Sequence, residues 1–172
     1  MEFFKFLFFW VAGTDAYAKD GLGFHKEFFV NNGGFLYGFL IALLIGLAIC
    51  AIFYFGMCNN FSLAKVRNWW ICLIVTAIAT FFVSDLMLIG GNGSKAATTF
   101  YHSNTEWVKE HRKSPNVKDY TAKKVKIEQK LKKWGDVRFP FDTTCAIYGI
   151  FFYVVGTCVF KGFSKYGVKI PW

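Results

Sequence analysis

GFLYGFLIALLIGLAICAIFYFGM, residues Gly34 to Met57, decides how the whole chain is read. These 24 residues carry no charge, and no Asp, Glu, Lys, Arg or His occurs from Phe28 to Ala64. At about 1.5 Å per helical residue the run reaches roughly 36 Å, enough to cross a hydrocarbon core of about 30 Å with some tilt. In lipid every backbone polar group must be satisfied internally, so a spanning segment is a helix or part of a closed barrel. An unbroken apolar run lacks the alternation of a barrel strand. The reading is therefore an all-α integral membrane protein.

Working outward, a polar turn over Asn59–Asn68 leads to a second apolar run. It begins at the aromatic pair Trp69-Trp70 and ends near Gly90. A third span is expected over Thr143–Phe160, fenced by Asp142 and Lys161. Its reach of roughly 27 Å is just adequate. The chain thus divides into an N-terminal interfacial segment (1–33), transmembrane helices 1 and 2 (34–90), a polar basic helical insertion (91–142), and transmembrane helix 3 with an aromatic and basic tail (143–172). No internal repeat supports an inverted-repeat transporter.

Composition agrees with this division. Of 172 residues 55% are hydrophobic, and the 22 Phe, 6 Trp and 8 Tyr form an aromatic load suited to acyl chains and headgroups. The net charge of +9 could suggest nucleic acid. Beside membrane spans, the topology bias of Lys and Arg and attraction to anionic lipid explain it more simply. Anionic lipids and other membrane subunits are the expected partners; nucleic acid is not. The five cysteines (Cys50, Cys58, Cys72, Cys145 and Cys158) lie in or beside apolar segments without CxxC or Cys/His spacing. They read as small hydrophobes, and no metal or cofactor is expected.

Residues 1–18 pair an apolar block with an Ala16-Tyr17-Ala18 sequence that resembles a signal cleavage site. Glu2 beside Lys5 weakens that, and the favoured reading is an interfacial helix over Phe3–Val11, too short to span. Asn31-Asn32-Gly33-Gly34 marks a turn ahead of the first span.

The first span repeats small residues every four positions: Gly34, Gly38, Ala42, Gly46 and then Cys50. Positions i and i+4 share a helix face, so these make one shallow groove that another helix can approach closely. Gly149 and Gly156 offer similar positions on the third span. The spacing does not say whether the partner helix belongs to this chain or to another. The second span carries its own stripe of Cys72, Thr76, Thr80 and Ser84, with the carboxylate of Asp85 beside it. Two readings stay open: polar packing, or ion and proton handling along the stripe.

In the insertion, Ser103-Asn104-Thr105-Glu106 fits a capping box opening a helix over 104–113. A second helix, over 119–134, sets Tyr120, Ile127, Leu131 and Trp134 against Lys123, Lys124, Lys126, Lys130, Lys132 and Lys133. That basic amphipathic pattern fits contact with an anionic surface. His102 and His111 lie near Glu106 and Glu110, yet there is no HExxH, GxSxG, GxGxxG or phosphate loop with its lysine. Enzyme chemistry is not expected.

With three spans, the N-terminus and insertion share one side and hold 3 and 12 basic residues; the opposite side holds 5. The positive-inside rule puts the insertion in the cytoplasm or matrix-equivalent space of a bacterial or organellar inner membrane. The expected role is a non-catalytic accessory subunit of a larger membrane complex. The alternative is a homo-oligomeric pore or ion conductor, with Asp85 and the hydroxyl stripe lining the path.

Overall fold

The structure is a computed structural model and describes residues 6–12, 29, 33–60, 63–90 and 134–164. Among the described residues the regular structure is helical, without strands. The helices are α1 (Phe9–Ala12), α2 (Gly34–Ala51), α3 (Val66–Gly90) and α4 (Trp134–Phe160). α2 runs on through a π-helical turn, Ile52–Gly56, and a 3-10 turn, Met57–Asn59; α4 runs on through a 3-10 turn, Lys161–Phe163. Three stretches are long and apolar enough to cross a membrane: Gly34–Asn59, Val66–Met87 and Val137–Phe163. The insertion helices expected over 104–113 and 119–134, with Lys123, Lys124, Lys126, Lys130, Lys132 and Lys133, lie outside the described residues except for Trp134.

The third helix differs from its sequence reading. It begins at Trp134 instead of Thr143 and carries Pro140 in its interior. Proline removes one backbone donor and usually ends a helix, so the sequence favours a break there. Long membrane helices tolerate it, because neighbouring helices and side chains re-satisfy the freed carbonyl. The consequence is that Asp142, expected to fence the span, sits inside it.

The chain forms two compact units: Met1–Phe35 with Leu86–Phe141, and Leu36–Asp85 with Asp142–Trp172. In the first, the aromatic rings make the core. Phe8 stacks on Phe35 at 5.1 Å and on Phe141 at 5.3 Å, while Phe29 lies 4.8 Å from Phe35 and 5.2 Å from Phe141. Phe8 and Val11 are buried, whereas Phe6, Phe9 and Trp10 are exposed. The segment around α1 thus turns one face to protein and keeps an aromatic outer face. Gly33, just before α2, has φ of 72°, the left-handed conformation that glycine adopts without a Cβ penalty.

In the second unit, the end of α2 is shaped by its π turn. A π turn adds one residue to the helical repeat and re-aims the side chains beyond it. Phe53 and Tyr54, adjacent in sequence, are both buried, and Cys58 beyond them is buried too. They pack with Cys50, Trp69 and Tyr153 in one cluster. Asn59 Nδ2 then donates to the Phe55 carbonyl at 2.6 Å, satisfying an acceptor left over at the helix end. Asn60 accepts the backbone N–H groups of Leu63 and Ala64 at 3.0 Å, and Asn68 Nδ2 donates to the Leu63 carbonyl at 2.8 Å, closing the turn into α3.

Gly56 gives the first test. A Cβ added there meets nothing within 4 Å, and its φ of −90° suits any residue. Gly56→Ala should leave stability unchanged or raise it by about 0.4–1 kcal/mol, by restricting the unfolded chain. Thermal unfolding of the detergent-solubilised protein measures this.

Candidate functional site

Within the second unit Gly46, Cys50 and Thr80 meet on α4, at Gly149, Gly156 and Thr157. The period-four face of α2 (Gly34, Gly38, Ala42, Gly46 and Cys50) is buried throughout. A Cβ on Gly46 would stand 2.7 Å from the Gly149 carbonyl oxygen and 2.9 Å from Phe152 Cβ. A Cβ on Gly156 would lie 3.0 Å from Cys50 Sγ and 3.2 Å from Leu47 Cδ2. At Gly46 and Cys50 the groove of the first span is thus filled by the third span of the same chain. Such an approach brings backbones close enough for the van der Waals contact that holds helices together in lipid.

The hydroxyl stripe of α3 meets α4 at the same level, and Gly149 touches both neighbouring helices. Thr76, Thr80 and Ser84 are buried, while Cys72 and Asp85 are half-buried. A Cβ on Gly149 would collide with Thr80 Oγ1, which places Thr80 directly against the α4 backbone. Thr76 donates to the Cys72 carbonyl and Thr80 to the Thr76 carbonyl, both at 2.8 Å. These bonds return to their own helix, the usual way for threonine to satisfy a hydroxyl in an apolar setting.

Both ends of this seam are cross-braced between helices. At one end Ser84 Oγ lies 2.7 Å from Asp142 Oδ1 and 2.9 Å from the Phe81 carbonyl. Its single proton serves one acceptor at a time, and the carboxylate is the nearer. Asp142 is 1% exposed. At the other end Trp69 Nε1 donates to Thr157 Oγ1 at 3.1 Å, Thr157 donates to the Tyr153 carbonyl at 3.0 Å, and Tyr153 OH donates back to the Trp69 carbonyl at 3.2 Å. Cys50 Sγ lies 3.9 Å from the same Thr157 oxygen. Because that hydroxyl already gives its proton to Tyr153, the thiol is left as the donor.

The sequence reading did not find two of these residues. Sequence places Asp142 as a fence outside the third span, and Trp69 with Trp70 as an aromatic pair opening the second. Adjacent helical residues point about 100° apart, so one ring can face the bundle while the other faces outward. Trp69 is 4% exposed and Trp70 is 47% exposed. That angular argument, applied to the pair, is the signal that could have separated them.

Chemically the seam holds hydroxyls, one buried carboxylate and free thiols. Among the described residues no three of His, Cys, Asp and Glu converge on a position for a metal ion. Comparisons with protein-family models, with curated proteins and with solved structures find no match to this chain.

Ser84→Ala removes the donor to Asp142 and should cost about 1 kcal/mol, the scale of an interhelical hydrogen bond in a membrane protein. Comparing its unfolding in detergent with that of the parent chain checks this; a loss below a few tenths would mean Phe81 is the working acceptor.

Proposed function

We propose that this chain is a non-catalytic structural or accessory subunit of a larger integral membrane complex of respiratory, transport or secretion type. The corresponding setting is a bacterial or organellar inner membrane, with the N-terminus and insertion on the cytoplasmic or matrix-equivalent side. The observation that supports this is the use of the small and hydroxylated faces for packing inside one chain. Gly46, Gly149 and Gly156 are closed by direct contact, and Thr76 and Thr80 bond to their own helix. The outward faces are aliphatic and aromatic, including Leu44, Ile74, Ile78, Phe82 and Phe151. A self-closed bundle of this kind acts through what it touches, through lipid-facing surfaces and through its basic insertion.

Isolation in mild detergent tests the proposal. Stable co-isolation with unlike membrane chains, without conductance in planar bilayers, is the expected result. A defined homomeric ring that conducts ions would overturn it.

One observation favours the second reading, a homo-oligomeric pore or ion-conducting protein. Buried Asp142 with Ser84, and Asp85 one residue beyond Ser84, place two carboxylates within spanning helices, where ionisable groups often serve transport. In that reading Asp85→Asn and Asp142→Asn each reduce ion flux in reconstituted vesicles at least tenfold. Unchanged flux in both removes it.

A further inference from the structure

We propose that the end of the second unit built from the α2–α3 turn and the last turn of α4 is a docking collar for anionic phospholipid headgroups, held by Lys65, Arg67 and Lys161. The charge pattern is one-sided. No Asp or Glu occurs from Phe28 to Ser84 or from Thr143 to Trp172, whereas Lys65, Arg67, Lys161, Lys165 and Lys169 all fall there. Every acidic side chain of the protein lies elsewhere in the sequence, so the two segments that meet at this end contribute charge of one sign.

The hydrogen-bond geometry brings three of the five to one level. α3 leaves this end and α4 arrives at it, and the two are joined by the Trp69–Thr157 bond at 3.1 Å. Lys65 lies four residues before Trp69, and its carbonyl accepts the Trp69 backbone N–H at 3.3 Å. Lys161 lies four residues after Thr157 and opens the 3-10 turn Lys161–Phe163. Four residues make about one helical turn, so both lysines stand roughly 5–6 Å beyond the same buried bond, in the same direction. Lys65 and Arg67 are exposed, and Lys161 is half-buried.

Aromatic rings flank these cations. Phe55 and Trp70 are exposed, and Phe55 packs 5.4 Å from Phe160, immediately before Lys161. Exposed aromatics at a span end settle at the boundary between acyl chains and headgroups. Cations placed one turn further out reach the depth of the phosphates. Lysine offers a compact point charge and arginine a planar fork that matches phosphate oxygens. A soluble acidic protein would meet the charges but not the apolar aromatic ring beneath them; a lipid meets both. The assignment does not depend on the accessory-subunit reading.

The test uses the full chain in nanodiscs of phosphatidylcholine with a minority of phosphatidylglycerol. Each lipid is supplied in turn as a probe with a photoreactive group near the glycerol, and cross-links are mapped by mass spectrometry. The phosphatidylglycerol probe should label peptides covering residues 55–70 and 158–164 more strongly than the phosphatidylcholine probe. Each charge removed should lower that labelling about fivefold, so Lys65→Gln with Arg67→Gln lowers it about 25-fold. High salt should lower it in the parent chain. Lys130→Gln with Lys132→Gln and Lys133→Gln, in the insertion, should leave it unchanged. Lys65 and Arg67 are exposed, and unfolding curves of the variants check that the fold persists. Equal labelling by both probes, or labelling indifferent to the Lys65/Arg67 substitutions, overturns the proposal. So does an acidic protein that co-isolates through these two residues while lipid labelling stays constant.

Discussion

Gly46→Leu should destroy the folded core of the second unit. The added side chain begins with a Cβ only 2.7 Å from the Gly149 carbonyl oxygen and 2.9 Å from Phe152 Cβ, and both belong to the neighbouring helix. Neither the backbone oxygen nor a Cβ can rotate away, so the helices themselves must separate. Overpacking a well-packed site costs about 1–3 kcal/mol, and more where backbone must move. The same Gly149 also lies against Thr80, so displacing α4 from α2 disturbs its contact with α3 as well. A loss of about 3 kcal/mol or more is expected, seen as loss of a cooperative unfolding transition in detergent. Gly46→Ala should show the same effect in smaller form, about 1–3 kcal/mol. The contrast with Gly56→Ala is the informative one. Both are glycines of the first span, and only the one facing α4 should matter.

Trp69→Ala should cost about 3–5 kcal/mol, the range for deleting a buried large aromatic. Trp69 packs 5.4 Å from the Tyr153 ring, lies in the cluster with Cys50, Phe53, Tyr54 and Cys58, and donates to Thr157. Trp69→Phe keeps most of the ring and loses the donor, so about 1 kcal/mol is expected. Trp70→Ala, an exposed neighbour, should fall within about 0.5 kcal/mol. Equilibrium unfolding of the three variants checks the order. Equal losses for Trp69→Ala and Trp70→Ala would mean that both rings serve the membrane interface and that the cross-brace is not a stabilising element.

Much of the architecture was legible because it rests on one-dimensional quantities. Length and apolarity marked the three spans, and the four-residue period marked the small faces of α2 and α3. The features that escaped depend on rotation about the helix axis and on which helix lies opposite. The spacing of Gly34, Gly38, Ala42 and Gly46 leaves open whether a helix of this chain or of another fills the groove. At Gly46 and Cys50 it is met within this chain, by Gly149 and Gly156 of α4. Asp142 reads as a fence because a charge usually ends an apolar run, yet the helix begins at Trp134 and continues through Pro140, which leaves Asp142 inside it. The π turn at Ile52–Gly56 has no sequence signature that periodicity would reveal. It is nevertheless the feature that turns Phe53 and Tyr54 inward together.

The central claim is that the small face of α2 closes on α4 of the same chain. Gly156→Cys tests it most directly, because a Cβ at that position lies 3.0 Å from Cys50 Sγ and 3.2 Å from Cys50 Cβ. A disulfide needs Cβ atoms about 3.5–4.5 Å apart, so a shift of a few tenths of an ångström lets the bond form. The measurement is mild oxidation of a mixture of isotopically light and heavy chains carrying Gly156→Cys, followed by mapping of the cross-linked peptides. The account predicts a bond from Cys50 to the new thiol joining peptides of one isotope only, and its loss when Cys50→Ser is added. Cross-links of mixed isotope as the main product, or no bond to Cys50, would contradict it.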